Sequence, residues 1–196
     1  MEKMSRICTV VVLCAVLMLF LWSLYVERYP IELDAGNSPA LADYVNEMLE
    51  QKEIAPEYQT KVRKVFESVD LDKSKIVLIE VGSPVMLPRL GVVVLQKGMN
   101  GQYRIGWISY GTSNIQDEVV EEGANTYFLI AGRNPNQAIR KIVLEQRGAK
   151  EDVTIEIPEK EQFLVSVLLQ PGWNYAVANW RFYNAVGEDI TSEVEW

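Results

Sequence analysis

The chain has 196 residues, 48% of them hydrophobic, with two cysteines, no histidine and a formal net charge of −8 at pH 7. The missing histidine excludes Ser-His-Asp and Cys-His catalysis, His-ligated zinc or iron and a histidine general base. The acidic balance repels a phosphate backbone, so no nucleic-acid partner is expected.

The first element is an apolar run, ICTVVVLCAVLMLFLWSLYV, which begins at Ile7, ends at Val26 and contains no charged side chain. A helix of that length, at about 1.5 Å per residue, reaches roughly 30 Å, the thickness of a bilayer's hydrocarbon core. Its apolar side chains favour insertion by on the order of 4 to 5 kcal/mol in sum. Trp22 and Tyr25 stand near the far end, at the level of the headgroups, and Lys3 and Arg6 precede the run, which orients the N-terminus to the cytoplasm. A cleaved signal peptide would have a shorter apolar region ending in small residues, and Tyr25 stands where a small residue is wanted. A buried helix of a soluble protein would carry a polar stripe. The expected organisation is a cytoplasmic tail at 1–6, a single-pass signal-anchor helix at 7–26, a stalk at 27–37 and one extracytoplasmic domain at 38–196, the alternative being two subdomains joined near residue 132. Cys8 and Cys14 both lie in the run, so the outer part carries no thiol or disulfide. Removing Lys3, Arg6 and Glu2 leaves 17 basic and 26 acidic residues in the rest, a net charge of −9.

Ser38 as N-cap and Pro39 at the first helical position predict a helix over 39–53, with Leu41, Tyr44, Val45, Met48 and Leu49 on one face. Pro56 opens a second amphipathic helix, on which Tyr58, Val62, Val65, Phe66 and Val69 form the apolar face. From Lys75 the period changes to two or to short β-branched runs, which predicts strands at 76–81, 90–96, 103–110 and 127–131. Asn100-Gly101 between two of these predicts a hairpin turn, and the acidic stretch with Asp117, Glu118, Glu121 and Glu122 reads as weakly structured. The segment 138–146 suits either helix or strand, with strand favoured. Alternation predicts strands at 153–157 and 163–169, and 175–183 forms the last long one. The fold class is α+β: an N-terminal transmembrane helix, two amphipathic helices, then a mainly antiparallel β-sandwich-like domain.

No phosphate-binding GxxxxGK[ST] loop, GxGxxG turn or Ser-x-x-Lys motif is present. Asp70, Asp72 and Ser74 have the opening spacing of a calcium loop, but Lys75 stands where Gly is required and Val81 where Glu is required, so the stretch reads as the solvated end of the second helix. Carboxylate pairs such as Glu118 with Glu121 or Glu122, and Glu156 with Glu159, read as solvated surface rather than as an acid/base pair. The aromatic residues Trp107, Tyr110, Tyr175, Trp180 and Tyr183 read as core filling. Trp173 is the single candidate ligand-binding ring, because Pro171-Gly172 sets it in a turn. No catalytic residue, cofactor or metal ligand is assigned.

The stretches Lys97-Gly98-Met99-Asn100-Gly101-Gln102-Tyr103, Ala131-Gly132-Arg133-Asn134-Pro135, Phe182-Tyr183-Asn184 and Gly187-Glu188-Asp189-Ile190-Thr191 resemble the corresponding parts of uncharacterised single-span membrane proteins of Gram-positive bacteria. The resemblance covers roughly the last hundred residues. It implies a cell-envelope setting, and no activity or site attaches to the group. The expected function is a membrane-anchored, non-enzymatic extracytoplasmic domain that binds another cell-envelope protein. The alternatives are a carbohydrate or cell-wall binding module using its aromatic rings, and a carboxylate-dependent hydrolase.

Overall fold

The computed structural model describes residues 2–32, 39–50, 56–111, 113–146, 151–173 and 178–194, with the side chains of the first helix described from Val11 onward except Glu27. Helix α1 runs Glu2–Arg28 and carries the apolar run. Its described side chains from Val11 to Leu24 stand exposed, away from the rest of the chain. Among the described residues no helix is long and apolar enough to cross a membrane; the described side chains of the run begin at Val11. Helix α2 runs Pro39–Leu49, and residues 51–53 of the expected helix lie outside the described residues.

The β-branched runs form strands β1 Lys61–Asp70, β2 Ser74–Gly82, β3 Arg89–Lys97, β4 Tyr103–Tyr110, β5 Ile115–Glu122, β6 Asn125–Arg133, β7 Lys141–Glu145, β8 Val153–Glu156, β9 Gln162–Leu168 and β10 Asn179–Tyr183. They make three antiparallel sheets, ordered β1-β2-β3-β4, β5-β6-β9 and β10-β7-β8. The chain is therefore α+β. The sheets stack, and alternation assigns each side chain to a core. Val77, Ile79, Val81, Val93 and Leu95 of the first sheet meet Leu41 and Val45 of α2. Ile76, Leu78, Val92 and Val94, on the opposite face, meet Leu129, Ala131 and Leu164 of the second sheet. Phe128, Ile130 and Phe163, on the far face of the second sheet, meet Ile142, Leu144, Ile155 and Phe182 of the third. Strands covered on both faces have no polar side to show, so β2, β3 and β6 read as continuous apolar runs.

Three expectations are corrected. The second amphipathic helix does not form: a short 3-10 turn at Pro56–Tyr58 leads into strand β1. Val62 and Val65 face the α2 core while Phe66 and Val69 face the second sheet, and the register shifts between Val62 and Lys64 and between Val65 and Ser68. Two half-buried faces plus two bulges space apolar residues three and four apart, which mimics a helical stripe. The acidic stretch before residue 125 is strand β5, paired along its whole length with β6. The Asp70 to Ser74 stretch is the β1–β2 hairpin turn, where the Leu71 N–H donates to Ser74 O at 2.8 Å and Lys75 pairs with Asp70 at 2.6 Å. The ambiguous 138–146 segment holds a strand, β7. The last strand begins at Asn179, and 174–177 lie outside the described residues.

Polar contacts on the rims fix how the first two sheets align. At one end the Lys73 N–H donates to Glu122 at 2.7 Å and the Asn125 amide donates to Asp72 at 2.8 Å. At the other the Gln116 amide donates to Leu90 O at 2.9 Å and Arg133 pairs with Glu80 at 3.3 Å. The end of α1 is seated at the first of these ends. Ile31 and Tyr103 exchange both backbone hydrogen bonds, at 2.9 and 2.7 Å, the Tyr25 hydroxyl accepts from the Met99 N–H, and Arg104 lies over the Tyr29 ring at 5.3 Å. Part of the expected stalk is thus joined to the β3–β4 hairpin.

Candidate functional site

The loops at the opposite end form a cleft. Pro84 and Pro88 bracket the β2–β3 loop and cannot donate to a ladder, so the chain leaves the sheet with the apolar triplet Val85-Met86-Leu87 in between. Each side of the loop is held by a guanidinium. Arg63 donates to Ser83 O, and Arg133 Nη2 donates to Pro88 O at 3.0 Å. Val85 is 58% exposed and Leu87 85% exposed. Facing the loop across a cavity of about 450 Å³ are Gly111, Ser113, Asn114 and Arg133. A second depression of about 250 Å³ shares Asn114 and Arg133 and continues past Asn134 and Ile139 to Glu193 and Val194.

Arg133 joins the two depressions. Its backbone N–H donates to Asn114 O at 2.8 Å, and its Nη2 is placed between Pro88 O and Glu80. Beside it, Asn134 is fully buried. Its amide donates to Ile139 O at 2.9 Å and accepts from the Ile139 N–H at 2.8 Å, closing the following loop. That loop holds Asn136 and Gln137 at φ 57° and 54°. A non-glycine residue in such a conformation costs on the order of 1 kcal/mol, and here the cost is met by the Asn134 clamp. The stretch Gly132-Arg133-Asn134-Pro135, legible in sequence only as a turn, builds one wall of the cleft.

Trp173, the candidate ring from sequence, lies elsewhere. Its N–H closes a turn on Gln170 O at 3.1 Å, with Gly172 at φ +83°. The ring is half-buried on the core between the second and third sheets. Its indole N–H is buried and has no hydrogen-bond partner among the described residues. Trp180 belongs to the same core, edge-on to Phe128 at 5.8 Å between centroids and stacked with Phe182 at 6.1 Å. Trp107 packs between the first and second sheets and Tyr110 on the α2 side. The Tyr183 ring carries Lys141 at 4.6 Å.

The carboxylates do not gather in the cleft. Glu118 and Glu121 lie along β5, Glu122 is turned inward onto the Lys73 N–H, and Glu159 pairs with Arg140. None of them lines either depression. Among the described residues no group of three or more Asp, Glu, Cys or His is placed to hold a metal ion. Two aspartates are perturbed. Burial pushes the Asp117 carboxyl up, against a backbone hydrogen bond that lowers it. The Thr191 hydroxyl and N–H hold Asp189 down against a smaller desolvation effect, and Arg181 adds less than either. The first is on the edge strand β5 and the second in the turn after β10, and neither lines the cleft.

The signal that could have found this site was the Pro-bracketed triplet Val85-Met86-Leu87, an apolar stretch that the flanking prolines keep out of any ladder. Arg133 and Asn114 gave no such signal, because only the pairing of β5 with β6 brings them together. No protein-family model matches the chain, and neither a curated protein nor a solved structure matches it.

Proposed function

We propose that the protein is a membrane-anchored, non-enzymatic domain that presents its cleft to another protein of the cell envelope. In this reading residues 7–26 cross the membrane, the N-terminus is cytoplasmic and the β-rich part lies outside, its second and third sheets forming a sandwich-like pair. The observation that carries the proposal is the placement of the two ends. The α1 terminus is bonded to the β3–β4 hairpin. The exposed Val85 and Leu87 stand at the opposite end of β3, about 25 Å away at roughly 3.3 Å per strand residue. An anchor held in this way would point the cleft away from the bilayer. An exposed apolar loop facing a polar wall across a depression is the character of an interaction surface.

Catalysis is the weaker reading, since the described residues of the cleft include no paired carboxylates and the chain has no histidine. Sugar stacking on Trp173 is weaker for a different reason, because its ring is half-buried on a core. A photo-crosslinking amino acid in place of Leu87 tests the proposal in cells. It is expected to capture a specific envelope protein, while the same substitution at Met99 captures none. Capture at neither position, or equal capture at both, would count against it.

A further inference from the structure

We propose that the cleft is a peptide site, and that it takes an extended segment of a partner carrying a carboxylate next to apolar side chains. This rests on the reading of the protein as a tethered binding domain and names the chemistry of what it binds.

Charge selects the occupant. The chain has a net charge of −8, yet the larger depression is lined by Arg89 and Arg133 and, among the described residues, by no carboxylate. Glu80 offsets Arg133 from 3.3 Å and Glu193 lines the far end of the second depression, so the uncompensated positive charge among the described residues stands at Arg89, beside Met86 and Leu87. Arg89 makes no ion pair or side-chain hydrogen bond among the described residues, and Arg133 uses only Nη2, on Pro88 O and Glu80. A guanidinium pinned at one nitrogen keeps its plane fixed and its other N–H groups available, which suits a carboxylate. Asn114 supplies the peptide-reading group. Its backbone carbonyl is occupied by the Arg133 N–H, while its side-chain amide, with two donor hydrogens and an acceptor oxygen, has no partner among the described residues and can pair with a peptide group. Met86, Leu87 and Leu90 give the apolar lining.

The site is also held in shape. Arg63 and Arg133 hold the backbone on the two sides of the β2–β3 loop, at Ser83 O and Pro88 O, which limits the backbone freedom lost on association. The two depressions join at Asn114 and Arg133, which favours an elongated occupant over a compact one.

The test uses the full chain in detergent micelles with ¹³C-methyl methionine, whose Met86 methyl reports on the cleft while Met48 and Met99 report elsewhere. The ligands are acetylated, amidated Gly-Leu-Glu-Leu-Gly, its Glu-to-Lys counterpart and octanoate. The Glu peptide is expected to move the Met86 resonance saturably and leave Met48 and Met99 in place, with the Lys peptide and octanoate each weaker by about tenfold or more. Arg89→Gln and Arg133→Gln are each expected to weaken the Glu peptide by about tenfold. If Arg133→Gln loses the folded spectrum, Arg89→Gln decides. An unmoved Met86, equal affinity for the Lys peptide, or octanoate binding as tightly as the Glu peptide would overturn the proposal. A partner captured from position 87 in cells whose capture is unchanged by Arg89→Gln would overturn it while leaving the tethered-binding reading in place.

Discussion

Gly132 has a neighbourhood that its place in a turn-like stretch does not suggest. A Cβ there would lie 2.7 Å from Phe163 Cζ and 3.2 Å from Asn114 O. Phe163 is fully buried, so neither neighbour can retreat without disturbing the core or the cleft wall. Gly132→Ala is expected to destabilise the fold by about 1–3 kcal/mol, read as a lower denaturation midpoint; an unchanged midpoint would show that the wall yields freely. Asp189 makes a second residue-scale prediction. Its carboxyl is held below its ordinary 3.8 by Thr191 first and Arg181 second, while the same Thr191 hydroxyl accepts from the Phe182 N–H at 3.0 Å. A lowered folded value means that the stabilisation is complete above the unfolded pKa and is lost as pH falls through the folded one. In an NMR titration Thr191→Val is expected to return Asp189 toward 3.8 and to bring on acid unfolding at higher pH. No movement of the Asp189 titration would refute the assignment. Asp117, raised by burial, has the opposite sign and favours the folded state as pH falls. Nothing in the sequence distinguishes these two aspartates, because what separates them is the turn and the edge strand around each.

At the scale of elements, strands with an unambiguous pattern were legible and those with a mixed one were not. The alternation in β8 and β9 and the β-branched runs of β2 and β3 show their character directly. β1 does not, because its bulges and two half-buried faces place Val62, Val65, Phe66 and Val69 at helical spacing. β5 hides for another reason. It is an edge strand, and its Asp117, Glu118 and Glu121 carry charge where pairing with a further strand would otherwise be invited, while Ile115 and Val119 face one core and Val120 the other. The β3–β4 turn departs from the simplest Asn-Gly form. Gly101 alone is left-handed, at φ +80°, and Gly98 both donates to Gln102 O and accepts from the Gly101 N–H. Gly98 also seats α1, since a Cβ there would stand 2.8 Å from the Tyr25 hydroxyl and 2.9 Å from Tyr29 Cγ. Gly98→Ala is therefore expected to free the end of α1, seen as several-fold faster tryptic cleavage after Arg28 with the β-sheet spectrum retained. Unchanged cleavage would mean that the seat does not depend on that contact.

For the whole molecule, the stacking order of α2 and the three sheets explains how a chain of this size buries so much of its β structure without a disulfide in its described β-rich part. It also explains why the cleft was the least legible feature. The sequence separates the β2–β3 loop, Asn114 and Arg133, and only the common alignment of the first two sheets, fixed by rim contacts such as Gln116 to Leu90 O and Lys73 to Glu122, gathers them at one end. The proposed arrangement makes that end the outward one. The most direct measurement is cysteine accessibility in a Cys8→Ser, Cys14→Ser background, comparing Leu87→Cys, at the cleft, with Met99→Cys, at the hairpin bonded to α1. Both native side chains are exposed, at 85% and 87%, so burial within the chain cannot separate them. With a membrane-impermeant maleimide on intact cells, Leu87→Cys is expected to label fully and Met99→Cys slowly, shielded by the bilayer. Equal labelling at the two positions, or labelling of Leu87→Cys only after the cells are opened, would contradict the account.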